Sequence, residues 1–266
     1  MRGELAVLGE LLQLAEDPNL SLATFAERVA AAPKLAGEIL RVANSALYGM
    51  AGRISRLERA VLILGQTTVT QIATTVLVAE QTRSLEIGPI RGPALWLHCL
   101  ESAYGAAAIA RALETAEPAE AHLAGLLHDL GIPDLFESYG DRYARVVTRA
   151  TAEGAPLEEL ERETFGETHA ERILQRAGEW GFPARIRLAL GCHHAPLDGP
   201  EDSRALASMI VAAHSLVADD PAGWSEPGGV GAGSDWLEEL GLLPAEVQEV
   251  REVTRERLKE AQATYG

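Results

Sequence analysis

The chain has 266 residues, 47% hydrophobic and 23% charged, and 39 Asp and Glu against 23 Lys and Arg give it a formal charge of −16. That length fits one large domain or two modest ones, and the composition supports a buried core, which excludes a disordered chain and a disulfide-stapled miniprotein. The negative balance argues against non-specific binding to nucleic acid or an anionic membrane, since no basic patch in the sequence is strong enough to overcome the overall field.

The N-terminal segment carries Glu4, Glu10 and Glu16 among its apolar positions, so it lacks the uninterrupted hydrophobic core of a signal peptide. Asp17-Pro18-Asn19 closes this first helix, Ser21 caps the next, and Pro33 begins the following one after Ala32. Leu35, Ile39, Val42 and Ala46 then lay an apolar stripe, ended beyond Tyr48 by Gly49 and Gly52. Val69, Ile72, Ala73 and Val76 repeat the spacing, yet no window approaches the roughly 18 apolar residues of a membrane span. The cluster Gly88-Pro89-Ile90-Arg91-Gly92-Pro93 forces the backbone out of helix and predicts the main boundary, between residues 1–90 and 91–218. Beyond it run the stripes Leu123, Leu126, Leu127, Leu130 and Leu206, Met209, Ile210, Ala213, Val217. Residues 219–235, rich in Gly and Pro, read as a mobile loop. Within the closing segment 236–266, an amphipathic helix is expected from about Pro244 to Ala261. Period-two alternation is almost absent, so the fold class predicted is all-α, a multi-helix bundle of two packed helical subdomains.

All seven histidines lie between residues 98 and 214. In Leu127-His128-Asp129-Leu130-Gly131 an imidazole and a carboxylate end an apolar helix, and Gly131 and Pro133 turn the chain, so both groups can project into a cavity. Such mixed ligands suit a divalent metal such as Fe, Mn or Zn. Thr168-His169-Ala170-Glu171 has capping-box spacing, which puts His169 in the first turn of a helix. His193 and His194 follow Leu190, and His214 follows Ile210, at spacings that turn them inward. His122, alone near a helix start, reads as a core histidine with one satisfied hydrogen bond. Cys99 and Cys192 are too few for a disulfide framework and too far apart for a metal knuckle, and the cytoplasm is the simplest location.

A run of motifs in order resembles the HDOD domain, a bacterial signalling-output relative of the HD phosphohydrolases. The run comprises Ser21 to Ala26, Ala32 to Ala36, Ile39 to Gly49, and Ile54-Ser55-Arg56-Leu57-Glu58-Arg59-Ala60-Val61-Leu62-Ile63-Leu64-Gly65. It continues through Leu95-Trp96-Leu97-His98, Gly125 to Gly131, Gly166 to Glu171, Trp180-Gly181-Phe182-Pro183 and His193-His194-Ala195-Pro196. The resemblance implies a second half built as a modified HD fold. In catalytic HD enzymes the metal ligands come from a first His, the His-Asp pair and a later Asp, with extra histidines in the cyclic-dinucleotide branch called HD-GYP. Carried over, His98, His128 and Asp129 take the first three places, and His169, His193 and His194 resemble the extra ones. Two departures stand out: His214 lies where the pattern has Asp, and Ile132 follows Gly131 where the HD-GYP branch has Lys.

A metal hydrolase needs an open coordination position and cations that offset phosphoryl charge. His214 supplies no negative charge and Ile132 no cation, so the resemblance predicts weak or no hydrolysis and no catalytic residue. The function it implies first is a non-catalytic signalling or regulatory module that binds a protein partner or a small signalling molecule. The alternative is a metal-dependent phosphohydrolase acting on a nucleotide or cyclic dinucleotide. Its metal set would be His98, His128, Asp129, His169, His193, His194 and His214. A weaker alternative is a transcriptional regulator, because Leu22 to Asn44 outlines a helix-turn-helix; but Glu38 and apolar positions share the second helix with Lys34 and Arg41, which fits burial better. Asn44 and Ser45 are expected to tie that helix end to its neighbours. The chain begins almost directly with the family-like region, so any signal is expected to arrive by binding.

Overall fold

The protein was analysed as a computed structural model, which describes residues 2–15, 17, 20–49, 52–114, 117–217, 227 and 235–265. Local chemistry sets the first helices, α1 (Arg2–Ala15), α2 (Leu22–Ala30) and α3 (Pro33–Ala43). The Ser21 hydroxyl accepts from the Thr24 N–H at 3.0 Å to cap α2, and Pro33 opens α3 with a φ suited to helix. α3 buries Leu35, Ile39 and Val42, while Lys34 pairs with Glu80 and Arg41 with Glu38, each at 2.8 Å. Its face is therefore packed rather than offered to a nucleic-acid groove. Asn44 fastens the helix end as expected, donating to the Leu40 and Ile54 carbonyls and accepting from the Ile54 N–H. A 3-10 turn, Ala46–Tyr48, follows.

α4 (Leu57–Thr82) bends at Gly65, whose φ of 82° and ψ of 160° lie outside the helical region. By length and hydropathy this helix could cross a membrane, contrary to the expectation that no segment would qualify. Here it packs against α1, α2, α3, α5 (Gly92–Leu113) and α6 (Pro118–Leu127). The Gly/Pro cluster forms a short antiparallel hairpin, β1 (Glu86–Ile87) with β2 (Ile90–Arg91), in an otherwise helical protein.

The second half runs through α7 (Gly131–Tyr139), α8 (Asp141–Glu153), α9 (Leu157–Phe165), α10 (His169–Glu179), α11 (Ala184–Gly191) and α12 (Glu201–Val217). α13 (Asp235–Glu239) and α14 (Pro244–Tyr265) follow. The predicted loop at 219–235, with its Gly228 to Gly233 run, lies outside the described residues except for 227 and 235. The last helix starts at Pro244 as expected and runs on to Tyr265, packing on α5 and on the Ala46–Tyr48 turn.

α5 is the axis of the bundle, in contact with α4, α6, α12 and α14. Two glycines permit the approaches that bring distant segments together. A Cβ on Gly125 would lie 2.5 Å from the Ser102 carbonyl oxygen, so only glycine lets α6 sit this close to α5. A Cβ on Gly131 would lie 2.0 Å from the carbonyl oxygen of His169. Backbone cannot swing aside as a side chain can. Gly131→Ala is therefore expected to cost about 3 kcal/mol, at the upper end of overpacking penalties, as measured by urea unfolding of the metal-free chain.

Candidate metal centre

Five segments deliver the site. His98 sits within α5, His128 caps the end of α6 with Asp129 directly after it, and His169 is the first residue of α10. The Thr168–Glu171 capping box is present in both directions. His193 and His194 lie in the turn just past α11 rather than in a helix, and His214 belongs to α12. Helical spacing thus anticipated that the pair faces inward, through a backbone geometry it did not describe. His128, Asp129, His169 and His193 are almost fully buried, and His98 and His194 retain a small exposed edge.

The side chains converge as two candidate metal-binding clusters, His98 with His128 and His214, and His169 with His193 and His194. In the first, the His128 Nε2 lies 3.2 Å from that of His98 and 3.3 Å from that of His214. In the second, the Nε2 atoms of His169 and His194 are 2.8 Å apart. Asp129 stands between them. Its Oδ2 is 3.2 Å from His98 Nε2 and 3.3 Å from His128 Nε2, while its Oδ1 is 3.8 Å from His169 Nε2 and 3.7 Å from His193 Nε2. Each carboxylate oxygen addresses a different cluster.

The outer ring nitrogens are committed elsewhere. His128 Nδ1 donates to the Gly125 carbonyl at 2.7 Å, and His193 Nδ1 to the Leu190 carbonyl at 2.6 Å. His169 Nδ1 donates to Glu161 at 2.8 Å, and the same carboxylate oxygen accepts the His169 backbone N–H at 2.8 Å. A carbonyl or carboxylate can only accept, so a ring that carries its single proton at Nδ1 presents a lone pair at Nε2. Burial, then the neighbouring His128 and His169, pushes the His193 pKa down to about 3. Burial likewise drives His194 and His214 well below the ordinary range. Burial works to raise the Asp129 carboxyl, but the charge and hydrogen bonding of His128, with those of His98, hold it well below the usual carboxylate range. The result is an anionic oxygen amid imidazole nitrogens. The buried His193 Nε2 has no hydrogen-bond partner among the described residues. A carboxylate and imidazole nitrogens converging in two groups are a donor set that a divalent cation accepts, so these residues fit a metal.

Glu161, in the Glu-rich segment Leu157-Glu158-Glu159-Leu160-Glu161, is not among the residues that the sequence singled out. The available signal was its register: Glu161 shares a helix face with Leu157 and Leu160, and it is fully buried, also accepting from the Tyr143 hydroxyl. Ile132 is fully buried in α7, and neither cysteine joins a cluster; both are free thiols.

His122 stands apart from the centre. Its ring meets the Tyr104 ring edge-on at 5.1 Å, and the expected hydrogen bond to it is missing among the described residues. Burial, then Arg111, lowers its pKa to about 4. The unfolded chain takes up this proton near pH 6.5, before the folded one does. The contribution of a neutral His122 is therefore complete above that pH and fades as pH falls toward 4, by on the order of 3 kcal/mol. Between pH 7 and 4.5 the metal-free parent should lose more stability than a His122→Gln variant, as read by chemical unfolding at each pH.

Comparison with known proteins places this geometry in a lineage. An uncharacterized protein of Treponema pallidum (strain Nichols) is 23% identical over 209 residues, 78% of this chain and 40% of that protein. The crystal structure of a protein from Marinobacter aquaeolei VT8, provisionally named for signal transduction, superposes with a TM-score of 0.78 at 23% identity. That superposition covers 98% of this chain and 58% of the other. A protein from Shewanella amazonensis SB2B, provisionally named a phosphohydrolase, gives a TM-score of 0.72 at 21% identity over 98% of this chain and 93% of its own. An HDOD domain protein of unknown function from Geobacter sulfurreducens gives 0.70 at 22% identity, over 94% and 91%. The chain thus spans less than two thirds of the first two relatives, and the likeness to the solved structures carries the all-α fold alone. The HDOD domain model, in contrast, matches residues 5–196, and on that match the chain belongs to the HDOD family.

Proposed function

We propose that this chain is a cytoplasmic metal-dependent phosphohydrolase of the HD type. His98, His128 and His214 would hold one divalent cation, His169, His193 and His194 a second, and Asp129 would bridge them. The single observation that carries this reading is Asp129, which turns one oxygen toward each triad of imidazoles. The geometry therefore favours the enzyme over the non-catalytic module that the departures at positions 132 and 214 suggested.

Divalent cations at these positions supply Lewis acidity toward phosphoryl oxygens and activation of water. The chain's own residues prepare for them. Burial keeps His193, His194 and His214 free of a competing proton, Glu161 fixes His169 by accepting at Nδ1, and the buried walls limit access of bulk water. A histidine in place of a carboxylate at 214 leaves the centre less neutralised, which favours an anionic substrate in a chain of charge −16. That substrate is a phosphate ester, with a nucleotide or cyclic dinucleotide as the class to test first.

Metal analysis of tag-free protein, followed by turnover assays with Mn or Fe on phosphate mono- and diesters, tests the proposal. Stoichiometric metal and turnover that Asp129→Ala abolishes are expected. A second reading rests on Ile132, an apolar residue at the position where the cyclic-dinucleotide branch has lysine: the centre then serves signalling through a protein partner or small ligand. Stoichiometric metal without turnover on any of these esters favours that reading.

A further inference from the structure

A second cavity lies on the other side of α5 from the centre. It encloses about 440 Å³ where α4 bends at Gly65, and α5, α6, α14 and the Ala46–Tyr48 turn complete its walls. That volume is within the range of about 300–1,000 Å³ for small-molecule sites. Its polar lining is unevenly satisfied. Tyr265 lies beside Tyr48 and Thr75, and Arg257 pairs with Glu260 at 3.1 Å. In contrast His122, only 5% exposed, lines the cavity with no hydrogen bond among the described residues. The Tyr104 hydroxyl likewise has none, and Arg111 has no ion pair among them. His122, Tyr104 and Arg111 therefore leave polar atoms on the cavity wall available to a ligand.

The character of the lining narrows that partner. Two guanidiniums, Arg111 and Arg257, border the cavity and no carboxylate does, in a chain where acids outnumber bases 39 to 23. The planar fork of arginine matches the oxygens of phosphate or carboxylate. Tyr48 and Tyr104 bring aromatic rings to the wall, and His122 brings a nitrogen that can donate or accept. We propose that this cavity is a second ligand site, built for a nucleoside monophosphate, with the phosphate on Arg111 and Arg257 and the base directed toward Tyr104 and His122. The site does not depend on the reading of the metal centre.

Calorimetric titration of the full chain in excess EDTA with AMP, GMP, CMP and UMP tests it, with guanosine and inorganic phosphate as reference probes. At least one monophosphate is expected to bind at one per chain, more tightly than guanosine or phosphate. Arg111→Gln and Arg257→Gln, both at exposed side chains and so compatible with folding, should each weaken it about 10–100-fold. Asp129→Asn should leave the affinity unchanged. The proposal is overturned if no monophosphate binds, if inorganic phosphate binds as tightly, or if both arginine variants bind like the parent. It is also overturned if Asp129→Asn alone removes binding, which would assign the ligand to the histidine centre. Because metal is absent throughout, failure here leaves the phosphohydrolase reading standing.

Discussion

Asp129→Asn is expected to lower the metal bound per chain and to reduce phosphate-ester turnover by about 10²–10³-fold, comparable to losing one preorganised electrostatic group. Asparagine keeps the volume but replaces one oxygen by an NH₂. With Oδ2 beside His98 and His128 and Oδ1 beside His169 and His193, one triad must then face a donor instead of an acceptor. The charge that offsets two divalent cations disappears at the same time. Elemental analysis with steady-state assays reads both effects, and far-UV circular dichroism separates them from misfolding. A variant with parental metal content and parental rate would sink the bridging role.

The second large effect is expected at a residue that touches no cation in this reading. In Glu161→Gln, the amide can place its NH₂ against His169 Nδ1, where the carboxylate now accepts. The imidazole would then carry its proton on Nε2, the atom aimed at Asp129 and His194. Metal affinity should fall about 10–100-fold, measured by competition with a chelator. Glu161→Ala should in addition destabilise the metal-free chain by about 2–4 kcal/mol, because the Tyr143 hydroxyl and the His169 N–H lose their acceptor in the interior. Unchanged affinity in the glutamine variant would mean that the carboxylate only supports packing.

Much of the helical layout was legible because it is local. The Ser21 cap, the proline that opens α3, the Thr168–Glu171 box and the Asn44 tie each depend on residues close in sequence. The site was legible as a set of residues but not as an arrangement. His98 and His214 are far apart in the chain, and only the packing of α5 against α6 and α12 brings both to His128. The bridging pose of Asp129 depends on the turn between α6 and α7, which composition does not reveal. His214 illustrates the difficulty. Compared position by position with a catalytic pattern it counts as a loss, whereas in space it completes a triad. Glu161 went unremarked because a polar residue in a helix declares its burial only through neighbours three and four positions away, here Leu157.

The family match stops at residue 196, yet α12 begins at Glu201. Trimming the gene to the matched boundaries would strip an imidazole from one triad and uncover the face of α5 at Gly105, on which Ala213 and Leu216 pack. Inactivity in such a shortened fragment would reflect where the cut was made, and so would say nothing about the chemistry of the intact polypeptide.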